Sequence, residues 1–382
     1  MNDMKNLLLF LVLITSSVRI LAQQTTVTWP FDGQTRKYIQ NVPSNYDGQT
    51  AVPLVIALHG LGDNINNFQG VGFQVVADTA GFITVYPEAL VDAFTQSTAW
   101  NSGAGTFGIY PNQNVDDVGF INAIIDTISA HYNIDQNRVY ATGFSMGGFM
   151  TNRLACELNN RISAFASVAG TIGSGITCDP GQDIKICHFH STGDAQVGYG
   201  TDGGGDMDNL FGLSVTEWIN FWTNNNSCGS VTLEGMFPDV ASDERTVDYK
   251  EFGGCNNGTR VVHYKAHGGQ HDWLFRPDND LTYTIEIWKF FIGLSPNNLI
   301  SGITESEFQN IAVYPNPATD VLRLENIDNK IQSIAVFNAV GQQVAEFTGN
   351  DSSIDISKLE AGIYQLMVAT DKGFFSNSFV KQ

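Results

Sequence analysis

Gly143-Phe144-Ser145-Met146-Gly147 sets a serine between two glycines, directly after the strand-like run Arg138–Thr142 and before the helix-capable stretch Phe149–Leu158. A serine at a sharp strand-to-helix turn needs small neighbours, because the backbone is strained there and the helix must pack closely on the sheet. The chemistry open to such a serine is attack on a carbonyl carbon, provided that a base takes its proton and an acid orients the base. A glycine-rich connection with an incidental serine has the same five-residue pattern. The flanking strand and helix are what give the pattern weight.

Where this turn is used, the partners follow in the order serine, acid, histidine. Asp194 closes His190-Ser-Thr-Gly-Asp194, just past the strand-like run Lys185–His190, at the sheet end where such loops converge. A loop-capping aspartate has the same spacing, so spacing alone leaves both readings open. Asp183 precedes that strand and falls at the wrong edge of the sheet. Asp202, Asp206 and Asp208 lie in a glycine-rich loop, where solvated carboxylates are commoner than a Ca²⁺ site.

Three histidines follow Asp194: His263, His267 and His271. His263 sits inside the alternating segment Arg260–Ala266 and reads as a strand side chain. His271, in His267-Gly-Gly-Gln-His271-Asp-Trp273, occupies a glycine-rich loop able to carry an imidazole over the sheet edge, which favours it over His267 as the base. His131, His188 and His190 are more economically read as structural. The charge that develops on a tetrahedral intermediate also needs donors. His59-Gly60-Leu61-Gly62 follows the apolar run Pro53–Leu58 and sets the Leu61 N–H beside that of Met146, the residue after the serine.

These residues need a scaffold. Between about 50 and 290, strand-like and helical runs alternate, the pattern of a mostly parallel sheet covered by helices, an α/β fold. Pro53–Leu58 and Phe82–Tyr86 are continuous apolar runs, suited to strands buried on both faces. Val118, Ile121, Ile125, Ile128 and Tyr132 mark one helix face, with Asp116 and Asp117 placed at its positive end. Ser214 and Glu217 form a capping box ahead of Trp218 and Trp222. From about 308 short alternating segments, among them Val321–Glu325, Ile334–Phe337 and Ile363–Val368, separated by turns such as Asp371–Gly373, predict a small all-β sandwich.

The expected organisation is a signal peptide over 1–22, a catalytic α/β domain over 23–293, a polar linker over 294–307 and the sandwich over 308–382. The first segment has Lys5, the apolar run Leu7–Ile14 and Ala22, the layout of a secretory signal, and its apolar run is too short to cross a bilayer. The 382 residues carry a formal charge of −20, which opposes phosphate-backbone binding and argues against a nucleic-acid partner. Export makes a disulfide plausible among the five cysteines, and the odd count leaves at least one thiol free or paired between molecules.

Seven motifs in order, LHG at 58–60, VYPE at 85–88, WN at 100–101, VDDVGF at 115–120, GFSMGG at 143–148, HSTGD at 190–194 and GGQHDW at 268–273, resemble the secreted feruloyl esterase and polyhydroxybutyrate depolymerase-like family of α/β-hydrolases. The resemblance implies Ser145 as nucleophile, Asp194 as acid, His271 as base, and the Leu61 and Met146 N–H groups as oxyanion donors. It also implies a Cys228–Cys255 disulfide and leaves Cys156, Cys178 and Cys187 undecided. Trp100, Asn101 and Trp273 are candidates for the acyl or aromatic pocket, against buried core positions for each. The family commonly has Gly at Ser191, Pro at Gly198 and Pro at Leu274; these departures border the pocket and bear on substrate identity.

The tail motifs Val313–Pro317, Val336–Val344 and Leu359–Tyr364 resemble the C-terminal sorting domain of type IX secretion substrates, which implies that machinery as a partner and an extracellular location, free or attached to the cell surface. The expected activity is a serine esterase working through an acyl-enzyme with no metal or cofactor. Its expected substrates are feruloyl or acetyl esters of plant cell-wall polysaccharide, with short-chain polyester as the alternative. Peptide hydrolysis is disfavoured, since no module for peptide selection is visible. A polysaccharide-binding protein on a decayed hydrolase scaffold is the reading of another class, and it fits poorly with a complete triad.

Overall fold

A computed structural model describes residues 23–200, 209–241, 243, 245–297, 299, 312–325, 331–338, 343–348, 353–370 and 373–382. The expected signal segment, the aspartates at 202, 206 and 208, and the first two residues of the expected turn at 371–373 lie outside them.

The chain first lays down an antiparallel pair, β1 (Gln23–Phe31) and β2 (Gln34–Val42), then β3 (Val52–Leu58), the short helices α1 (Ile65–Phe68) and α2 (Phe73–Ala80), and β4 (Ile83–Pro87). A small hairpin, β5 (Leu90–Val91) and β6 (Thr98–Ala99), leads to α3 (Asp117–His131), β7 (Ile134–Phe144), α4 (Met146–Glu157), β8 (Ala164–Val168) and β9 (Ile186–Ser191). Then come α5 (Val215–Asn225), β10 (Val231–Met236), β11 (Thr246–Phe252), β12 (Val261–His267) and α6 (Tyr283–Phe291).

Ten of these strands form one sheet in the order β1-β2-β4-β3-β7-β8-β9-β12-β11-β10. The six from β4 to β12 pair in parallel, and both edges are antiparallel. The apolar runs explain why the centre is parallel and covered. All seven residues of β3 are buried, with Leu54, Ile56 and Leu58 facing one core and Val55 and Ala57 the other. The first core also takes Phe120, Ile124 and Ile128 of α3 and Trp218 and Trp222 of α5. The second takes Phe73 of α2 and Ile287, Trp288 and Phe291 of α6.

One local expectation is corrected and another is extended. Only Asp116 caps α3, its Oδ1 accepting from the Gly119 N–H at 2.8 Å. Asp117 turns inward and pairs with Arg36, because a buried guanidinium on β2 needs a counter-charge more than a solvated helix end needs a second acid. The helix face is wider than expected: Ile121, Ile125 and Ile128 are buried and Val118 and Tyr132 pack against the same core, and Phe120 and Ile124 are wholly buried beside them.

The capping box at Ser214 and Glu217 forms as expected. Cys228 pairs with Cys255, as the resemblance implied, and Cys156 with Cys178, leaving Cys187 free and buried. The tail folds into a three-stranded sheet, β13 (Ala312–Tyr314), β14 (Val321–Glu325) and β17 (Ser353–Asp355), and a four-stranded one, β15 (Ile331–Asn338), β16 (Gln343–Thr348), β18 (Gly362–Thr370) and β19 (Gly373–Lys381). Both are antiparallel, and Leu322, Val336, Leu366 and Phe379 share one core. Among the described residues, no helix is long and apolar enough to cross a membrane.

Candidate active site

Ser145 stands between β7 and α4 with φ 55° and ψ −120°. A left-handed backbone costs energy in a residue with a Cβ, and it persists only where the surroundings enforce it. Here the two glycines allow the helix to come close enough to do so. A Cβ on Gly143 would stand 2.2 Å from the Gly147 carbonyl oxygen, and one on Gly147 would stand 2.1 Å from the Leu58 oxygen. The Ser145 N–H is held by the Val168 carbonyl at 2.8 Å, and its own carbonyl accepts from Phe149 at 3.0 Å.

Asp194 lies in the loop after β9 and His271 in the loop after β12, parallel neighbours in the sheet, so both loops leave from the same end. His271 Nδ1 lies 2.6 Å from Asp194 Oδ2. A carboxylate only accepts, so Nδ1 carries the hydrogen and Nε2 is left to accept a proton. The ring packs on Phe144, centroid to centroid 4.8 Å.

The other oxygen of Asp194, Oδ1, accepts from the Gln196 and Val197 N–H groups, each at 2.9 Å. His190 Nε2 approaches Oδ2 at 3.3 Å. Burial works to raise the Asp194 pKa, but the bonds from His190, His271 and the Val197 N–H outweigh it and hold the carboxyl well below its usual range. The acid is therefore held in its ionised form.

Ser145 and His271 share the wall of one cavity of about 400 Å³ with Gly60, Leu61, Asp63, Ala104, Met146, Phe149, Gln196, Val197 and Phe211. Gly60 lies against the serine, where an added Cβ would stand 3.3 Å from Ser145 Cβ. The Gly60 carbonyl is engaged by His59 Nδ1 at 2.7 Å and by the Asp63 N–H at 3.3 Å. His59 Nε2 accepts from the Ala89 N–H at 3.1 Å, which fixes Nδ1 as the protonated nitrogen. A trans peptide sets its N–H opposite its carbonyl, so tying back the Gly60 oxygen aims the Leu61 N–H the other way. Met146 opens α4, where a first-turn N–H has no acceptor within the helix.

The structure brings together Ser145, Asp194, His271, Leu61 and Met146, and sets the other three candidates apart. Trp100 is wholly buried and donates its indole N–H to the His59 carbonyl at 2.8 Å. Asn101 Nδ2 donates to the Gln113 and Val115 carbonyls at 3.1 and 2.8 Å. Trp273 donates to Thr284 Oγ1 at 3.0 Å and packs edge-on to Phe68, Phe73 and Phe144. None of the three lines the cavity over Ser145. Both indole N–H groups and the Asn101 amide N–H₂ find acceptors in the scaffold, which is what their burial requires.

His267 pairs with Asp248 at 2.7 Å rather than with Asp194. Asp183 accepts from Asn257 at 2.6 Å on the surface. The residue that sequence reasoning passed over is His190, read as structural yet in contact with Asp194. The available signal was the period-two spacing of His188 and His190, which places both on one face of β9.

A strained serine between a central strand and its helix, with an Asp–His pair delivered from the next strand ends, defines an α/β-hydrolase. Residues 40–180 match the family described as Esterase PHB depolymerase, and residues 312–382 match the Secretion system C-terminal sorting domain. The chain is 30% identical over 258 residues to a protein named probable feruloyl esterase C of Aspergillus oryzae, covering 67% of this chain and 84% of that one. It is 29% identical over 270 residues to feruloyl esterase D of Neurospora crassa, covering 70% and 84%. A solved structure titled as a CE1 ferulic acid esterase from Anaeromyces mucronatus aligns with TM-score 0.44 at 15% identity, over 72% of this chain and 90% of that one. The chain belongs to the feruloyl esterase family of carboxylic ester hydrolases and carries a type IX sorting domain at its C-terminus, which makes it an extracellular enzyme.

Proposed function

We propose that Ser145 is the nucleophile, His271 the general base and Asp194 the acid of an esterase that works through an acyl-enzyme. The observation that carries this reading is the 2.6 Å contact between Asp194 Oδ2 and Nδ1 of His271, an imidazole that lines the same cavity as Ser145. His271 Nε2 takes the hydroxyl proton as Ser145 attacks the ester carbonyl, then gives it to the departing alcohol; water repeats the sequence on the acyl-enzyme. The N–H groups of Leu61 and Met146 receive the charge that develops on the carbonyl oxygen.

The substrate class we propose is a feruloyl or acetyl ester of plant cell-wall polysaccharide. Phe144, Phe149, Phe211, Leu61 and Val197 give the cavity aromatic and aliphatic walls, and among the described residues no Lys or Arg lines it. Such a wall suits a neutral acyl group and offers no counter-ion to a free carboxylate. Polyester cleavage is the second reading, supported by the match of residues 40–180 to a family described by depolymerase activity. In the domain division that goes with this function, residues 23–293 are the catalytic unit, 294–307 the linker and 308–382 the sorting unit, which directs export and attachment to the cell surface.

Release of p-nitrophenol from p-nitrophenyl acetate tests the mechanism. Ser145→Ala is expected to lower kcat by about 10⁴–10⁶-fold, and a residual rate within tenfold of the parent overturns the assignment. Methyl ferulate, acetylated xylan and polyhydroxybutyrate assayed side by side rank the substrate classes.

A further inference from the structure

We propose that His190 is a positioning residue for catalysis: a second imidazole, wholly out of solvent, that holds Asp194 from behind while His271 holds it from the cavity side. The proposal rests on the reading of Ser145, His271 and Asp194 as the catalytic set and deepens it.

The observation is a chain of hydrogen bonds across three strands. Ser167 on β8, His188 on β9 and His263 on β12 are register partners, so parallel pairing puts all three on one face of the sheet. His190, two residues on from His188, joins the same face. Ser167 Oγ lies 3.0 Å from His188 Nδ1, and His188 Nε2 lies 3.2 Å from His190 Nδ1. His190 Nε2 lies 2.9 Å from the Val197 carbonyl and 3.3 Å from Asp194 Oδ2.

The proton positions follow from what each neighbour can do. The Val197 carbonyl and the Asp194 carboxylate only accept, so His190 Nε2 carries a hydrogen. In the neutral ring Nδ1 then accepts, which requires His188 Nε2 to donate and His188 Nδ1 to accept from the Ser167 hydroxyl. Each donor in the row points toward Asp194. Burial, together with His190 and His263, holds the His188 pKa well below its ordinary value, so His188 stays neutral and fits its place in the row.

The other ionisable groups around His190 are Tyr199, whose ring centroid lies 5.5 Å away, His263, bonded to the Tyr199 hydroxyl at 2.7 Å, and Lys265, with Nζ 5.2 Å from the Tyr199 ring. The bonds that hold the Asp194 carboxylate come from His190, His271 and the Gln196 and Val197 N–H groups. His190 and the two backbone N–H groups therefore fix the carboxylate's rotation, and that rotation sets where His271 stands.

A structural role for His190 and a positioning role differ in what survives substitution. In His190→Gln the amide N–H₂ still reaches Asp194 and Val197, and kcat is expected to stay within about threefold of the parent. In His190→Phe the volume stays but the donor goes. There kcat is expected to fall about tenfold to a hundredfold with KM unchanged, as for a lost bond to a charged group.

Near-UV circular dichroism reports folding of each variant. Should His190→Phe fail to fold, His190→Asn serves, since its amide is too short to reach Asp194 and the same loss is expected. The proposal is overturned if Phe or Asn at this position keeps kcat within twofold, or if Gln loses as much as Phe. Ser145→Ala separates the two levels. Activity surviving in Ser145→Ala sinks the catalytic set itself, whereas a dead Ser145→Ala beside an active His190→Phe sinks the positioning role alone.

Discussion

Arg36 on β2 and Asp117 at the start of α3 pair at 2.6 Å with both side chains shut off from solvent. Asp117 uses its other oxygen to accept from the Asn101 N–H at 2.7 Å, and the guanidinium stacks over Phe120 with its carbon 3.8 Å from the ring centroid. The pair thus joins the antiparallel edge, a helix and the segment that carries Trp100. Removing one partner strands a buried charge, so Asp117→Ala is expected to lower unfolding free energy by about 3–5 kcal/mol. Replacing both, Arg36→Met with Asp117→Leu, is expected to recover most of that loss. Urea unfolding of the three proteins checks this, and a double variant no better than the single one counts against the desolvation argument.

Acid stability is set by the histidines behind the site before it is set by the carboxylates. Burial, then His190, pushes the His263 pKa down from 6.5 to about 3, and burial lowers that of His188 as well. The folded state binds fewer protons than the unfolded one between those values. Stability is therefore complete above pH about 6.5 and falls as pH drops through that window, by about 1.4 kcal/mol per pH unit for each group. Thermal unfolding is expected to show Tm declining from pH 6.5 downward, with a shallower slope in His263→Gln. A Tm flat to pH 4.5 goes against both buried neutral rings.

The cysteines give a count that can be titrated. Cys187 is buried, and that burial pushes its thiol well above the ordinary range, so little thiolate forms. Ellman's reagent is expected to find no thiol in the native protein and one after unfolding without reductant. Cys156–Cys178 and Cys228–Cys255 close separations of 22 and 27 residues. In the chain-entropy model each contributes about 3–4 kcal/mol. Two or more thiols in the unreduced, unfolded protein contradict the pairing.

What could be read from the sequence is what local geometry dictates. The serine turn is legible because Gly143 and Gly147 are where backbone meets backbone. The strands at its side are legible because a strand buried on both faces shows no alternation. Strand ends and chain order make Asp194 and His271 candidates, and the resemblance to the esterase motifs is what favours Asp194 over a loop-capping aspartate. His190 was not legible as a partner of Asp194, since its contact depends on how β9 pairs with β8 and β12. Asp117 looked like a cap because nothing near it in sequence reveals Arg36, more than 80 residues earlier. The pairing of Cys156 with Cys178 depends in the same way on a loop return that no spacing reports.

Trp100 is the sharpest case, because proximity to a motif suggested a substrate contact and the structure assigns it a support role. Its indole N–H holds the His59 carbonyl at 2.8 Å, and His59 in turn holds the Gly60 carbonyl, whose peptide ends in the Leu61 N–H. Trp100→Phe keeps most of the packing and removes the donor, so the loop loses one of its ties. An oxyanion donor matters when charge has developed on the substrate oxygen and little before. The expected result on p-nitrophenyl acetate is therefore kcat lower by about tenfold to a hundredfold with KM nearly unchanged. A boronate that mimics the tetrahedral intermediate should bind more weakly by a similar factor. The opposite split, KM raised with kcat intact, is what a side chain touching the acyl group gives, and it would return Trp100 to the pocket wall.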